Sequence, residues 1–132
     1  MIAAITFHRG SQSDAERLCF KIKSLGGVSR HKCLLCVDES GIAEGCLTIL
    51  QGVFSSVAIF VAHEKPVGWP ARENALIFNV ANRIYYKEKE PWLRVETDSD
   101  PKSPDWLDRI EEETRAIRSS IEQLQSARQA LV

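Results

Sequence analysis

Apolar and polar positions switch between two periods along this chain, and the switches mark its elements. Ile2 to Phe7 is a short apolar run bounded by the polar loop His8-Arg9-Gly10-Ser11, the pattern of a strand. Ala15, Leu18, Cys19, Ile22 and Leu25 then recur at helical spacing. Ser13 with Glu16 supplies a capping box before them, and Gly26-Gly27 a stop after them. A second strand is expected over Cys33 to Val37, ending at Asp38-Glu39-Ser40-Gly41, and a second helix over Ile42 to Gln51. Val57 to Ala62 is continuously apolar, as in a strand covered on both faces. The loop His63 to Pro70 leads to a helix over Asn74 to Arg83. A last apolar run reaches Val95, and an amphipathic helix opens at about Pro104-Asp105-Trp106.

Strand and helix therefore alternate, which predicts an α/β fold: a mostly parallel, Rossmann-like sheet with right-handed crossovers, flanked by helices and followed by a long C-terminal helix. In that helix Leu107, Ile110, Thr114, Ile117, Ile121, Leu124, Arg128 and Leu131 fall at alternating steps of three and four. Ile110, Ile117, Leu124 and Leu131 keep one seam position apolar in each heptad, while Thr114 and Arg128 weaken the other. Such a helix lies on its own domain or packs against a second copy. The expected organisation is a binding domain over 1–112 and a helical extension over 113–132, with a homodimer as the assembly.

Composition narrows the function classes. With 132 residues the chain suits one domain, and 17 Lys+Arg against 18 Asp+Glu leave no basic surface for nucleic acid. The opening MIAAITFHRG is too short for a membrane span and lacks a basic region and a cleavage context, which favours a cytoplasmic protein. Cys33 and Cys36 form a CxxC beside His31, a spacing that suggests zinc. On a strand, however, side chains three apart point to opposite faces, and no second pair follows. The cysteines are expected to be small buried hydrophobes.

The chemistry concentrates where the last apolar run ends. Glu96, Asp98 and Asp100 follow Val95 at steps of two, before Pro101. Carboxylates at the C-terminal end of a strand lie where open α/β sheets bind ligands, and hard cations such as Mg²⁺ and Mn²⁺ take oxygen ligands of this kind. A solvated acidic turn would leave the same trace.

Three segments, in order, resemble the family 2 glycosyltransferases of the GT-A fold. Val37-Asp38-Glu39-Ser40 is similar to the V-D-D-G-S after that family's second strand. Gly68-Trp69-Pro70-Ala71-Arg72-Glu73-Asn74 resembles its G-x-x-x-A-R-N segment, with one extra residue between Arg and Asn. Leu93 to Asp100 resembles the strand that ends in its DxD motif. A variant in small, often phage-borne members has W-P-x-x-N, then P-W-L-x-x-E-x-D-x-x-P and W-L-D-x-I. Trp69, Pro70 and Asn74 match the first part, and Pro91, Trp92, Leu93, Glu96, Asp98, Pro101, Trp106, Leu107, Asp108 and Ile110 the rest. The likeness covers about residues 1 to 112.

The resemblance implies metal-dependent binding of a nucleotide-diphospho-sugar, UDP- or GDP-linked, and transfer of its sugar. It implicates Thr6, Phe7, His8 and Arg9 after the first strand, Asp38 at base or ribose, and Arg72 and Asn74 beside the nucleotide. It gives Mn²⁺ or Mg²⁺ to Glu96 and Asp98, or in the literal D-x-D register to Asp98 and Asp100. Asn74 also suits a helix cap. In that family the catalytic base comes from a later segment, and here Asp108, Glu111, Glu112, Glu113 and Glu122 all fall on one helix with an ordinary surface-charge pattern. No catalytic base is assigned. The contrasting expectation is a non-catalytic relative that dimerises through its C-terminal helix. A nucleotidyltransferase fits less well, since the loop after the first strand holds a single glycine.

Overall fold

The computed structural model describes residues 1–7, 12–37, 44–61 and 71–131. Among them β1 (Ile2–Phe7), β2 (Lys32–Val37), β3 (Ser56–Val61) and β4 (Trp92–Val95) form one sheet in the order β3-β2-β1-β4, every pair parallel. Helices α1 (Gln12–Leu25), α2 (Glu44–Val53), α3 (Ala71–Arg83) and α4 (Trp106–Ala130) flank or follow it. This is the expected Rossmann-like α/β architecture with a long C-terminal helix.

The strand order has a physical logic. From β1 the chain steps through α1 to β2 and through α2 to β3, always in one direction. It then returns through α3 to β4 on the free side of β1. Reversing the direction of stepping while keeping right-handed crossovers puts the connecting helix on the opposite face of the sheet. The two cores show this. Ala3, Ile5, Phe7, Cys33, Leu35, Val37 and Val95 pack with α1, α2 and Leu107 of α4 on one face. Ile2, Ala4, Leu34 and Cys36 pack with Val80 of α3 and Ile84 on the other. Cys33 and Cys36 thus point to opposite faces, as their strand spacing requires, and all four cysteines are free and buried.

Several local expectations change. α1 starts at Gln12, so Ser13 lies inside the helix rather than capping it, and Gln12 Nε2 donates to Glu16 Oε1 at 3.2 Å. α3 starts at Ala71, which puts Asn74 within its first turn and not at a cap. Among the described residues β3 is not covered on both faces: it forms the sheet edge, with one strand neighbour and with Ile59 and Val61 exposed. A π-helical turn, Ile84–Glu88, extends α3 and ends at Lys89 in a left-handed conformation (φ 51°). Its five residues fit neither period used to read the sequence.

α4 is fastened by charge at the N-terminal edge of the sheet. The Glu111 carboxylate, 8% exposed, lies 2.9 Å from the Met1 ammonium and 3.0 Å from Arg30 Nη1. It also accepts from Arg115 Nη2 at 2.8 Å. Asp108 Oδ1 meets the buried His31 Nε2 and Arg30 Nη2, both at 2.7 Å. The Met1 ammonium, with Arg30 beside it, holds Glu111 down to about 2, against an ordinary 4.5. The hydrogen bond from His31, then Arg30, holds Asp108 low as well. The expected boundary at 112/113 falls inside this one continuous helix, close to where its packed part ends.

Candidate functional site

The order β3-β2-β1-β4 reverses between β1 and β4, so a crevice opens outside the C-terminal ends of those two strands. Doubly wound sheets bind ligands at such switch points. Ile5 pairs with Val95, so the residues just beyond, Thr6 and Phe7 on β1 and Glu96 to Asp98 after β4, meet at this rim. α3 packs over β1 and β2, and its first turn carries Arg72 and Asn74. Asn74 is exposed, while the Arg72 side chain lies outside the described residues. His8, Arg9 and Asp38 also lie outside them. Thr6 is buried at the strand end, and Phe7 is a core residue against α1 and α2, 1% exposed.

The three acids share the rim but do not converge. The Ser99 N–H donates to the Glu96 carbonyl at 3.0 Å, closing a turn with Thr97 and Asp98 at its centre. Thr97 is buried and anchors this turn. Glu96 turns to one side and pairs with Arg94 Nη1 at 2.8 Å. Asp100 turns to the other, to Lys102 and, at 4.0 Å, to Lys21 of α1, with Lys102 the main cause of its lowered pKa. Asp98 stands exposed at the tip of the turn and has no partner among the described residues. Among those residues no three carboxylates, cysteines or histidines are grouped to hold a metal ion.

Two arginines not singled out from the sequence complete the rim. Arg94 projects from β4 beside Glu96, and its Nε is buried with no partner among the described residues. It left a signal, a lone cation between Leu93 and Val95 on an apolar strand. Arg17 of α1 donates through Nη2 to the carbonyls of Thr97 and Ser99, each at 3.5 Å. It left none, since it looks like any charge on the polar face of a helix. A guanidinium at a strand end is suited to phosphate oxygens, which its donors meet in a fixed fork.

A cavity of about 820 Å³ lies elsewhere, between α3, the π-helical turn and the start of β4. Phe78, Asn82, Tyr85, Tyr86, Lys89 and Trp92 line it. It sits toward the N-terminal edge of the sheet, and none of the rim residues borders it. The placement of charge and the strand reversal select the rim instead.

Fold and rim together define a doubly wound α/β domain with an acidic switch-point edge. Compared with protein-family models, with curated proteins and with solved structures, the chain matches none. Among the described residues no helix is long and apolar enough to cross a membrane.

Proposed function

We propose that this domain binds a nucleotide-diphospho-sugar, UDP- or GDP-linked, at the β1–β4 rim through Mn²⁺ or Mg²⁺, as a minimal GT-A-like glycosyltransferase. One observation carries the reading: the acidic end of β4 lies at the point where the strand order reverses. The diphosphate brings concentrated negative charge, and a divalent ion neutralises it as the sugar–phosphate bond breaks. The donor set fits such an ion. Mg²⁺ is commonly held by one or two carboxylates together with substrate phosphates and water, and needs no all-protein cage. Asp98 is the primary ligand in this reading because its carboxylate is uncommitted, whereas Glu96 is engaged by Arg94 and Asp100 by Lys102 and Lys21. Glu96 or Asp100 joins it by exchanging its cation for the metal.

Thr6, Phe7, His8 and Arg9 flank the nucleotide, Asp38 takes base or ribose, and Arg72 and Asn74 approach from α3. Phe7 contributes through its backbone, since its ring belongs to the core. The acceptor and its base come from outside the described residues: Asp108 and Glu111 are committed to fastening α4, and Glu112, Glu113 and Glu122 are exposed helix charges. The protein works in the cytoplasm, that of the host if it is phage-borne, where nucleotide-sugars are made and free thiols persist.

A second reading is favoured by the apolar stripe on the exposed half of α4. In it the domain is a non-catalytic GT-A-like module that assembles as a homodimer through this helix. Calorimetry with UDP, GDP and their sugars, with and without Mn²⁺, separates the two. Metal-dependent binding that Asp98→Ala abolishes supports the transferase, and turnover of the bound nucleotide-sugar adds activity. No nucleotide binding by the folded protein rejects the first reading and leaves the module.

A further inference from the structure

We infer that residues 113–125 of α4 pair, in parallel and in register, with the same segment of a second copy. The inference rests on the homodimer named above and gives it an orientation and a set of contacts. α4 has 25 residues, about 37 Å at roughly 1.5 Å per residue. Its seam begins on its own domain, with Leu107 buried and Ile110 and Thr114 half-buried. The same stripe then runs on past the domain as Ile117, Ile121 and Leu124, which are 61%, 49% and 70% exposed. Every residue from Arg115 to Leu131 is exposed. A free helix of that length is marginal in water on propensity alone, and an apolar stripe at coiled-coil spacing is the face a partner covers.

Side-chain chemistry selects the partner and its direction. With Ile117 and Leu124 at d, the a positions are Thr114 and Ile121. A β-branched residue at a with Leu at d, as in the Ile121–Leu124 layer pair, favours two parallel strands. The flanking g and e positions are Glu113 and Arg118, both exposed and without a partner among the described residues. In a parallel, in-register pair, Glu113 faces Arg118 of the partner subunit, and symmetry repeats the contact. Ser120 and Gln125 flank the next step without charge. An antiparallel pair centred between Ile121 and Leu124 would instead set Arg118 against Gln125 and Ser120 against Ala127, matching no opposite charges. Arg128 would meet its own copy at the following a position, so the paired segment ends before it.

Light scattering on the full chain, with single-cysteine cross-linking, tests this. The native cysteines are all buried, so the background is low. We expect dimer mass at about 100 μM, and Ile117→Cys should form an intermolecular disulfide with itself on mild oxidation. Glu113→Arg should weaken the dimer about three- to tenfold, and the exchange Glu113→Arg with Arg118→Glu should restore it, with circular dichroism unchanged throughout. A monomer at every concentration overturns the homodimer itself. A dimer in which Ile117→Cys fails to link to itself but links to Arg128→Cys in a mixture overturns the parallel register and leaves the dimer standing. A Glu113→Arg variant as tight as the parent overturns the charge assignment. Nucleotide binding, measured separately, is not at stake in any of these outcomes.

Discussion

Replacing Glu111 by Gln keeps the size of the side chain and removes its charge, at the point where α4 is fastened to the sheet. The carboxylate serves three cations at 2.8–3.0 Å, but they do not count equally. Arg30 and Arg115 are 55% and 73% exposed, so solvent screens their share. The Met1 ammonium is 2% exposed and the carboxylate 8%, so this pair dominates, and Gln leaves the ammonium with a weaker acceptor. Breaking a fully buried pair costs about 3–5 kcal/mol; at the edge of a domain roughly 2–3 kcal/mol is expected. For a domain of this size that is a fall in Tm of about 8 °C. The sign of the pH dependence follows from the lowered pKa. Glu111 is held at about 2 against an ordinary 4.5. Its contribution is therefore complete above the unfolded value and is lost as pH falls from about 4.5 towards 2. Urea unfolding of both proteins at pH 7, 5 and 3 measures it. The gap should be full at pH 7 and 5 and narrow clearly at pH 3. A variant within about 0.5 kcal/mol of the parent at pH 7, or a gap unchanged at pH 3, would refute the pairing as the fastening of α4.

Two further outcomes test the packing around this frame. Gly27 has φ 79°, and a Cβ there would overlap the Pro104 carbonyl, so Gly27→Ala should destabilise the fold by at least about 2 kcal/mol; equal denaturation midpoints would contradict that close approach. The thiols should be inert: burial pushes Cys19 and Cys36 up to about 12 and raises Cys33 further. A thiol-reactive chromophore should therefore label none of the four cysteines in the native protein and all of them in denaturant, and rapid native labelling would contradict the buried assignment.

The sheet was legible because its central strands carry the clearest signals. β1 is buried throughout and apolar but for Thr6, β2 is apolar and buried from Cys33 on, and the helical spacing of Ala15, Leu18, Cys19 and Ile22 matches the residues α1 buries. What the periodicity lacks is lateral order. Val57 to Val61 looks like a central strand, and only the pairing shows it at the edge. Long-range ion pairs are invisible for the same reason. Nothing local says that Asp108 and Glu111, spaced like ordinary helix charges, reach back to His31, Arg30 and Met1. The acids of the rim were found by spacing alone, but spacing could not show that Glu96 and Asp100 turn apart. That depends on Arg94 and on Lys21 of α1, 79 positions earlier in the chain than Asp100.

The separation of those acids has one cause. Residues 96–105 must carry the chain from the C-terminal end of β4 down to the start of α4 at the opposite edge of the sheet, and they do so along α1. Arg17 holds the carbonyls of Thr97 and Ser99, Lys21 reaches Asp100, and Gly27 admits the Pro104 carbonyl, in descending order along that helix and just past its end. Asp100 is thus part of a strap already leaving the rim, and its charge is used to lay that strap on α1. Glu96 directly follows the strand, and its carboxylate is held beside Arg94. Among the described residues, only the turn between them, with Asp98 at its tip, remains at the switch point with an uncommitted carboxylate. In the described structure the strap therefore favours a metal reading built on Asp98 and phosphate oxygens over one built on the literal Asp98–Asp100 pair, because recruiting Asp100 would first take its carboxylate from Lys102 and Lys21.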